Sequence, residues 1–182
     1  MSMLSQSAIK SPPYCDTVVL SGRVTSGRRR ASRELLGWAG QLEGFAGEKL
    51  QPGSLNVYLD RPLRLCKAGA LRFDGGGRML WRASLNGLPV LLYRWRECPF
   101  HIIEILSAVD LRTQFGLRDG DAVTLTIEQT QVDIITPMER AMWRALWAGR
   151  ERWHYSKHNY YAFLFLSWRR STGAAGERPR PT

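Results

Sequence analysis

Residues 101 to 121 read His-Ile-Ile-Glu-Ile-Leu-Ser-Ala-Val-Asp-Leu-Arg-Thr-Gln-Phe-Gly-Leu-Arg-Asp-Gly-Asp, which predicts a strand, a short helix and a tight turn in succession. The strand is His101 to Leu106, where aliphatic residues surround a single charge. Asp110 can cap a helical turn that begins at Leu111, and Gly116 can end that turn in the left-handed conformation. Asp119-Gly120 then predicts a turn that returns the chain into another strand.

The remaining strand patterns are short and are separated by glycine-rich or asparagine-glycine turns. They are Thr17–Thr25, Leu55–Leu59, Met79–Leu85, Pro89–Trp95 and Ala122–Glu128. One amphipathic helix is expected between the first two, because apolar residues recur at helical spacing from the N-cap candidate Ser32 to Gly47. Many short strands with a single inserted helix indicate a small, mostly antiparallel barrel.

The C-terminal part predicts a helix with a well-defined start. Thr136-Pro-Met-Glu139 is a capping box with proline at the first helical position, so the helix should run from Pro137 to about Arg152. Its apolar residues are Met138, Met142, Trp143, Leu146 and Trp147. This is too much apolar surface to leave in water, so the face should pack on the barrel or on a second subunit. Tyr160 to Trp168 follows as a buried strand or a short apolar segment.

The predicted organisation has four parts: a flexible N-terminal arm over residues 1–16, a barrel domain over 17–131, a C-terminal helix and aromatic segment over 132–168, and a disordered tail over 169–182. With 182 residues and 44% hydrophobic content, one substantial core is expected. Three cysteines without a paired motif, and an N-terminus without a long apolar run, favour a reducing, cytoplasmic setting. The longest apolar run, 160–166, is far shorter than the roughly 20 residues of a membrane-spanning helix.

The net charge of +10 is concentrated in the C-terminal part, where residues 138–182 carry nine Lys or Arg against three Asp or Glu. A basic surface favours anionic partners in encounter and solubility. The first interpretation of the basic, tryptophan-rich tail is packing on the barrel, and a protein partner or homodimer contact through the helix comes second. A membrane surface and nucleic acid are less favoured alternatives. The sequence contains no Walker A loop, Rossmann fingerprint or nucleophile elbow.

Two short motifs carry candidate ligands. Gly53-Ser-Leu-Asn56 places a hydroxyl and a carboxamide two residues apart, on one side of an extended segment, and such hard oxygen ligands suit a magnesium ion that bridges phosphates. The alternative is a simple turn in which Asn56 satisfies backbone groups. Glu104 stands among apolar strand residues and must face a rim, a partner or a ligand, because burial of an unpaired carboxylate is costly. The alternative is that Glu104 occupies an ordinary exposed position of a strand in which buried and exposed residues alternate.

Residues 101–121, together with Pro52-Gly-Ser-Leu-Asn-Val57, resemble the archaeal CTP-dependent riboflavin kinases. Those proteins carry a Gly-Thr-Leu-Asn loop, an Ile-Ile-Glu-Ile strand, a following Leu-Arg and a Leu-Lys-Asp-Gly-Asp turn. The resemblance covers about Thr17 to Glu128 and leaves the C-terminal extension unmatched. It implies a mainly β protein with a small closed barrel of the cradle-loop or RIFT-like type, one inserted helix and a C-terminal helical extension.

The resemblance also implies roles for individual residues. Ser54, which replaces a threonine of the family, and Asn56 would hold Mg²⁺. Glu104 would contact the hydroxyl end of riboflavin and orient or deprotonate it. The cytidine nucleotide would lie against four consecutive residues, Val109, Asp110, Leu111 and Arg112. The implied reaction is transfer of the terminal phosphate of CTP to riboflavin, which gives CDP and FMN.

One loop departs from the family pattern. The kinases have a run resembling Gly-Leu-Gly-Glu-Gly-Arg, whose glycines let backbone amides approach phosphate. This chain keeps Gly27, while Arg29 and Ala31 stand where the second and third glycines would be. Arg28, Arg29 and Arg30 could bind the nucleotide through their side chains instead, or form an exposed basic turn. The alternative function is therefore a non-catalytic barrel that acts as a ligand-binding or protein/nucleic-acid interaction module through its basic, tryptophan-rich tail.

Overall fold

The computed structural model of the protein describes residues 16–27 and 31–155, and for residues 31–33 it describes the backbone only. The strands are β1 Thr17–Thr25, β2 Leu55–Leu59, β3 Arg64–Leu65, β4 Leu71–Phe73, β5 Arg78–Leu85, β6 Leu88–Trp95, β7 Ile102–Leu106, β8 Ala122–Glu128 and β9 Val132–Asp133. The α-helices are α1 Ala31–Leu36, α2 Ala39–Ala46, α3 Leu111–Phe115 and α4 Pro137–Trp147. Short 3₁₀ turns occupy Asp74–Gly76, Gln129–Gln131 and Glu151–Tyr155.

Six antiparallel strands close into a barrel. The main sheet has the order β4-β5-β6-β7-β2-β1-β8, and β8 also pairs with β5. The closed ring therefore consists of β5, β6, β7, β2, β1 and β8, and β4 is added at the edge of β5. The closing contact is brief, with Ser84 opposite Thr126 and Leu85 opposite Leu125. By contrast, β1 pairs with β8 along seven residue positions, from Thr17 opposite Glu128 to Arg23 opposite Ala122. The small closed barrel predicted from the sequence is therefore the architecture of the chain.

Alternation along the strands separates an inner and an outer apolar cluster. The inner cluster fills the barrel with aliphatic side chains and with Trp81, whose indole N–H donates to the carbonyl of Cys66 at 2.7 Å. The outer cluster consists of Leu35, Leu42, Phe73, Leu80, Leu91, Tyr93 and Leu106. Leu35 and Leu42 come from α1 and α2, so the helical insertion covers one outer face of the barrel.

The single helix predicted after β1 is two short helices. The chain breaks at Gly37 and Trp38 between α1 and α2, and Ser32 lies inside α1 instead of capping it. Trp38 has non-helical backbone angles and packs on Phe73, with ring centroids 5.5 Å apart. Gly47 ends α2 in the left-handed conformation, as expected.

The C-terminal extension is anchored on the barrel. The capping box of α4 forms as predicted, but the helix ends at Trp147, not near Arg152, and Gly149 with φ 75° turns the chain. Trp143 and Trp147 are buried, and the Trp143 indole N–H donates to Nδ1 of His101 at 3.0 Å. The remaining members of the predicted face are less covered, and Met138 is 64% exposed.

Smaller elements complete this end of the molecule. The two-residue strands β3 and β9 pair with each other and were not predicted. Arg64 of β3 also forms an ion pair with Glu139 of α4 at 3.0 Å, which ties the helix to this pair. The predicted arm, the aromatic segment 160–168 and the tail 169–182 lie outside the described residues, apart from Asp16. Within the described part of the chain, no helix is long and apolar enough to cross a membrane.

Candidate active site

A row of polar residues crosses neighbouring strands on the outer face of the barrel. Asn56 of β2 lies opposite Thr25 of β1 on one side and opposite Glu104 of β7 on the other. Glu104 in turn lies opposite Tyr93 of β6. Directly paired residues share one face of a sheet, so Thr25, Asn56, Glu104 and Tyr93 form a continuous row. The insertion that contains α1 and α2 contacts the same face through Tyr93.

Glu104 has a direct partner in Ser54. The Ser54 hydroxyl donates to Oε2 of Glu104 at 2.8 Å, which joins the two motifs that the sequence singled out. Burial raises the pKa of Glu104, the Ser54 hydrogen bond lowers it by less, and the charge of Glu34 adds to the increase. The carboxyl group therefore holds a proton more readily than an ordinary surface glutamate. Such a shift suits a group that accepts a proton during a reaction.

A cleft opens beside this pair, at the end of the barrel where β2 begins and β7 ends. Its volume is about 170 Å³, and it is lined by Gln51, Pro52, Gly53, Ser54, Leu55, Ile105, Ser107, Val109, Asp110, Leu111 and Arg112. The backbone N–H of Gln51 donates to the carbonyl of Ser107 at 2.7 Å and fixes the two sides of the cleft. The structure thus brings Ser54 together with four of the residues predicted to contact the nucleotide, Val109, Asp110, Leu111 and Arg112.

The local structure of 109–112 follows the sequence prediction. Asp110 caps α3 by accepting from the backbone N–H of Thr113 at 3.0 Å, and Gly116 ends α3 with φ 63°. Arg112, however, is already engaged within the protein. Its Nη2 donates to Oδ1 of Asp119 at 2.7 Å and to the carbonyl of Thr25 at 3.1 Å.

The loop after β1 meets the site at Gly27. A Cβ atom built on Gly27 would lie 2.1 Å from Nδ2 of Asn56, so the Asn56 carboxamide occupies the space that any other side chain would need. Arg28, Arg29 and Arg30 lie outside the described residues. Ala31 is the first residue of α1, and a helical backbone requires no glycine at that position.

Curated proteins similar to this chain are riboflavin kinases. The riboflavin kinase of Cenarchaeum symbiosum is 32% identical over 139 residues, which are 65% of this chain and 70% of that protein. The chain belongs to the riboflavin kinase family. The riboflavin kinases of Methanocella arvoryzae and Pyrobaculum islandicum are each 30% identical to it, over 122 and 129 residues. These two matches span 57% and 61% of the relatives, so the chain covers less than two thirds of their length. No family model matches the chain.

Oxygen donors dominate the candidate site. Within the described ranges, no group of three or more His, Cys, Asp or Glu side chains could hold a metal ion. The oxygen donors at this site are the hydroxyl of Ser54, the carboxamide of Asn56 and the carboxylate of Glu104. Ser54 is hydrogen-bonded to Glu104, and Asn56 lies opposite Glu104 on the neighbouring strand. This donor set fits Mg²⁺, which takes oxygen ligands and is usually bound by one or two carboxylates together with substrate phosphates and water.

Sequence reasoning missed two groups around the candidate site. The first is the pair of Tyr93, which lies opposite Glu104, and Arg78, which donates a hydrogen bond to the Tyr93 hydroxyl. Arg78 also forms an ion pair with Glu34 of α1 at 3.0 Å. Burial raises the pKa of Tyr93 to about 12, so its phenol stays protonated near neutral pH. The second missed group is Asp119, which the sequence presented only as a turn residue. Alternation along β6 could have placed Tyr93 on the outer face, but no local pattern signals its polar partners.

Proposed function

We propose that this protein is a riboflavin kinase that transfers a phosphoryl group from a nucleoside triphosphate to riboflavin. The observation that carries the proposal is the Ser54–Glu104 hydrogen bond at 2.8 Å, because it joins the two family motifs and Ser54 also lines the cleft. Because the chain belongs to the riboflavin kinase family, the proposed acceptor is riboflavin and the proposed product is FMN.

Glu104 is the proposed catalytic residue. Its carboxylate accepts the proton of the terminal hydroxyl of riboflavin while that oxygen forms a bond to the γ-phosphorus. The bond from this phosphorus to the β–γ bridging oxygen breaks, and the nucleoside diphosphate leaves with the electron pair. The raised pKa of Glu104, caused chiefly by burial, makes the carboxylate a better proton acceptor than an ordinary glutamate.

Ser54 and Asn56 are the proposed magnesium ligands, with water and phosphate oxygens completing the shell. Mg²⁺ would neutralise the phosphate charge in this site. The Ser54 hydroxyl donates its proton to Glu104 and keeps its oxygen lone pairs available for another contact. The proposed donor nucleotide is CTP, on the basis of the motif resemblance, and residues 109–112 would contact it from the cleft wall.

The test is riboflavin phosphorylation by the purified full chain with magnesium and, separately, CTP, UTP, ATP or GTP, with FMN measured by chromatography. Glu104→Gln and Asn56→Ala should each lower turnover by roughly a hundredfold or more while the protein stays folded. Glu128→Gln is the matched control, because Glu128 is an exposed carboxylate at the far end of β8. An active wild type that neither substitution slows would show that the site is misplaced, and an inactive wild type would reject the kinase proposal.

A non-catalytic interaction module remains the competing function, and the structure weakens its basis. That function requires the tryptophans of the extension as a contact surface, yet Trp143 and Trp147 are buried against the barrel, whereas Trp153 is 39% exposed. Arg140 and Arg144 of α4 are exposed and remain the basic surface that such a module could use.

A further inference from the structure

Asp119 joins three segments that border the proposed site. One carboxylate oxygen accepts from the backbone N–H of Ser26 at 2.8 Å, and the other accepts from Arg112 of α3 at 2.7 Å. Arg112 also donates to the carbonyl of Thr25 at 3.1 Å, so the loop after β1, helix α3 and the turn before β8 meet at one side chain. Backbone bonds between Val24 and residues 120 and 121 strengthen the same junction.

The loop held by Asp119 continues directly to Asn56. Ser26 precedes Gly27, and the Asn56 carboxamide packs so closely on Gly27 that a Cβ atom there would lie 2.1 Å from it. Any shift of the Ser26–Gly27 backbone therefore changes the space in which this carboxamide can lie. Thr25, opposite Asn56 in the register of β1 and β2, is itself held by Arg112.

We propose that Asp119 is a positioning residue of the kinase site: by holding Ser26 and Arg112 together, it sets the loop after β1 against the Asn56 carboxamide. The role in catalysis rests on the proposed function, whereas the positioning itself is a property of the free protein. Two hydrogen bonds are needed, one to each oxygen, so an asparagine at this position could accept only one of them.

A different role for the same contact predicts the opposite effect. If Asp119 only sequestered Arg112, which is one of the proposed nucleotide contacts, loss of the carboxylate charge would release the guanidinium and strengthen nucleotide binding. If Asp119 positions the loop, the same substitution weakens binding. The direction of the change therefore separates the two roles.

The first experiment uses the free protein and requires no ligand. In ¹H–¹⁵N NMR spectra, Asp119→Asn should shift the backbone amide of Gly27 and the side-chain amide of Asn56. Asp121→Asn is the matched control: Asp121 lies in the same turn but caps only the N–H of Arg118, at 2.7 Å. It should leave both signals in place. Unchanged Gly27 and Asn56 signals in a folded Asp119→Asn protein would overturn the proposal.

The second experiment titrates the magnesium salt of CTP into wild type, Asp119→Asn, Asp121→Asn, Asn56→Ala and the double variant Asp119→Asn/Asn56→Ala. Loss of one charge-assisted hydrogen bond should weaken binding by about tenfold in Asp119→Asn, against less than twofold in the control. The double variant should bind no more weakly than Asn56→Ala, because Asp119 acts through Asn56. Additive losses, or binding as tight as wild type in Asp119→Asn, would overturn the proposed role. If wild type binds no nucleotide, the proposed function fails, and the NMR comparison still decides whether Asp119 positions the loop.

Discussion

On acidification, this protein should unfold at a higher pH than protonation of its carboxylates alone would produce, because His101 is buried as a neutral ring. The Trp143 indole can only donate, so Nδ1 of His101 must accept from it, and the ring proton lies on Nε2, which donates to the Glu151 carbonyl at 3.0 Å. Protonation would place a second N–H against the indole. Burial, with smaller contributions from His154 and Arg94, lowers the pKa of His101 to about 3.

The size of the effect follows from this difference in pKa. Between the ordinary value of 6.5 and about 3, the unfolded chain binds a proton at His101 that the folded protein does not bind. The free energy of unfolding therefore falls as the pH falls, by up to about 1.4 kcal/mol per pH unit from this residue. Between pH 7 and pH 5 the loss is about 2 kcal/mol, a substantial part of a typical stability of about 5 to 15 kcal/mol.

The assay is urea unfolding of wild type and His101→Gln, followed by tryptophan fluorescence at several pH values. Glutamine can accept from Trp143 and donate to Glu151 but does not titrate. The carboxylates are common to both proteins, including Glu104, whose raised pKa acts in the opposite direction. The difference in unfolding free energy between the two proteins should therefore shrink by about 2 kcal/mol from pH 7 to pH 5. A difference that stays constant over this range would refute the reasoning.

Three further predictions concern other contacts. In the wild type, the Ser54 hydrogen bond lowers the pKa of Glu104, so Ser54→Ala should raise this pKa and move the acid limb of the rate–pH profile for riboflavin phosphorylation to higher pH. An unchanged limb would contradict this. A chain that ends at Gln131 loses the two buried tryptophans of α4 and should be less stable by about 3 to 6 kcal/mol. If the melting temperature of this truncated chain were unchanged, and the full chain bound acidic liposomes in a salt-sensitive manner, a membrane role for the extension would be favoured instead. Arg94→Met removes donors from three backbone carbonyls and should cost at least about 3 kcal/mol in chemical unfolding, whereas exposed Arg96→Met should cost little.

Local patterns predicted the elements whose determinants are close together in sequence. The bounds of β2 and β8, the Asp110 cap and the capping box of α4 all depend on residues within a few positions of one another. The family motifs also directed attention to Ser54 and Glu104, which the structure joins. Such features need no knowledge of the rest of the chain.

Features that depend on distant partners could not be predicted in the same way. The hydrogen bond between Asp119 and Ser26 joins positions 93 residues apart, and a turn pattern does not reveal such a partner. The two-residue strands β3 and β9 are too short for any alternation to be recognised. The break between α1 and α2 interrupts the helical periodicity of 32–45, and the Trp38–Phe73 contact at this break joins residues far apart in sequence.

The position of β1 in the barrel has a consequence for how the chain acquires its structure. β1 lies between β2 and β8, and its pairing with β8 joins residues 99 to 111 positions apart, from Arg23 opposite Ala122 to Thr17 opposite Glu128. During synthesis from the N-terminus, β1 therefore has one unpaired edge until β8 has been made. Unpaired strand edges promote association with other chains, and non-local pairing slows folding. We expect the nascent chain to be most prone to aggregation just before residue 128 emerges, and completion of β8 to end that vulnerable period.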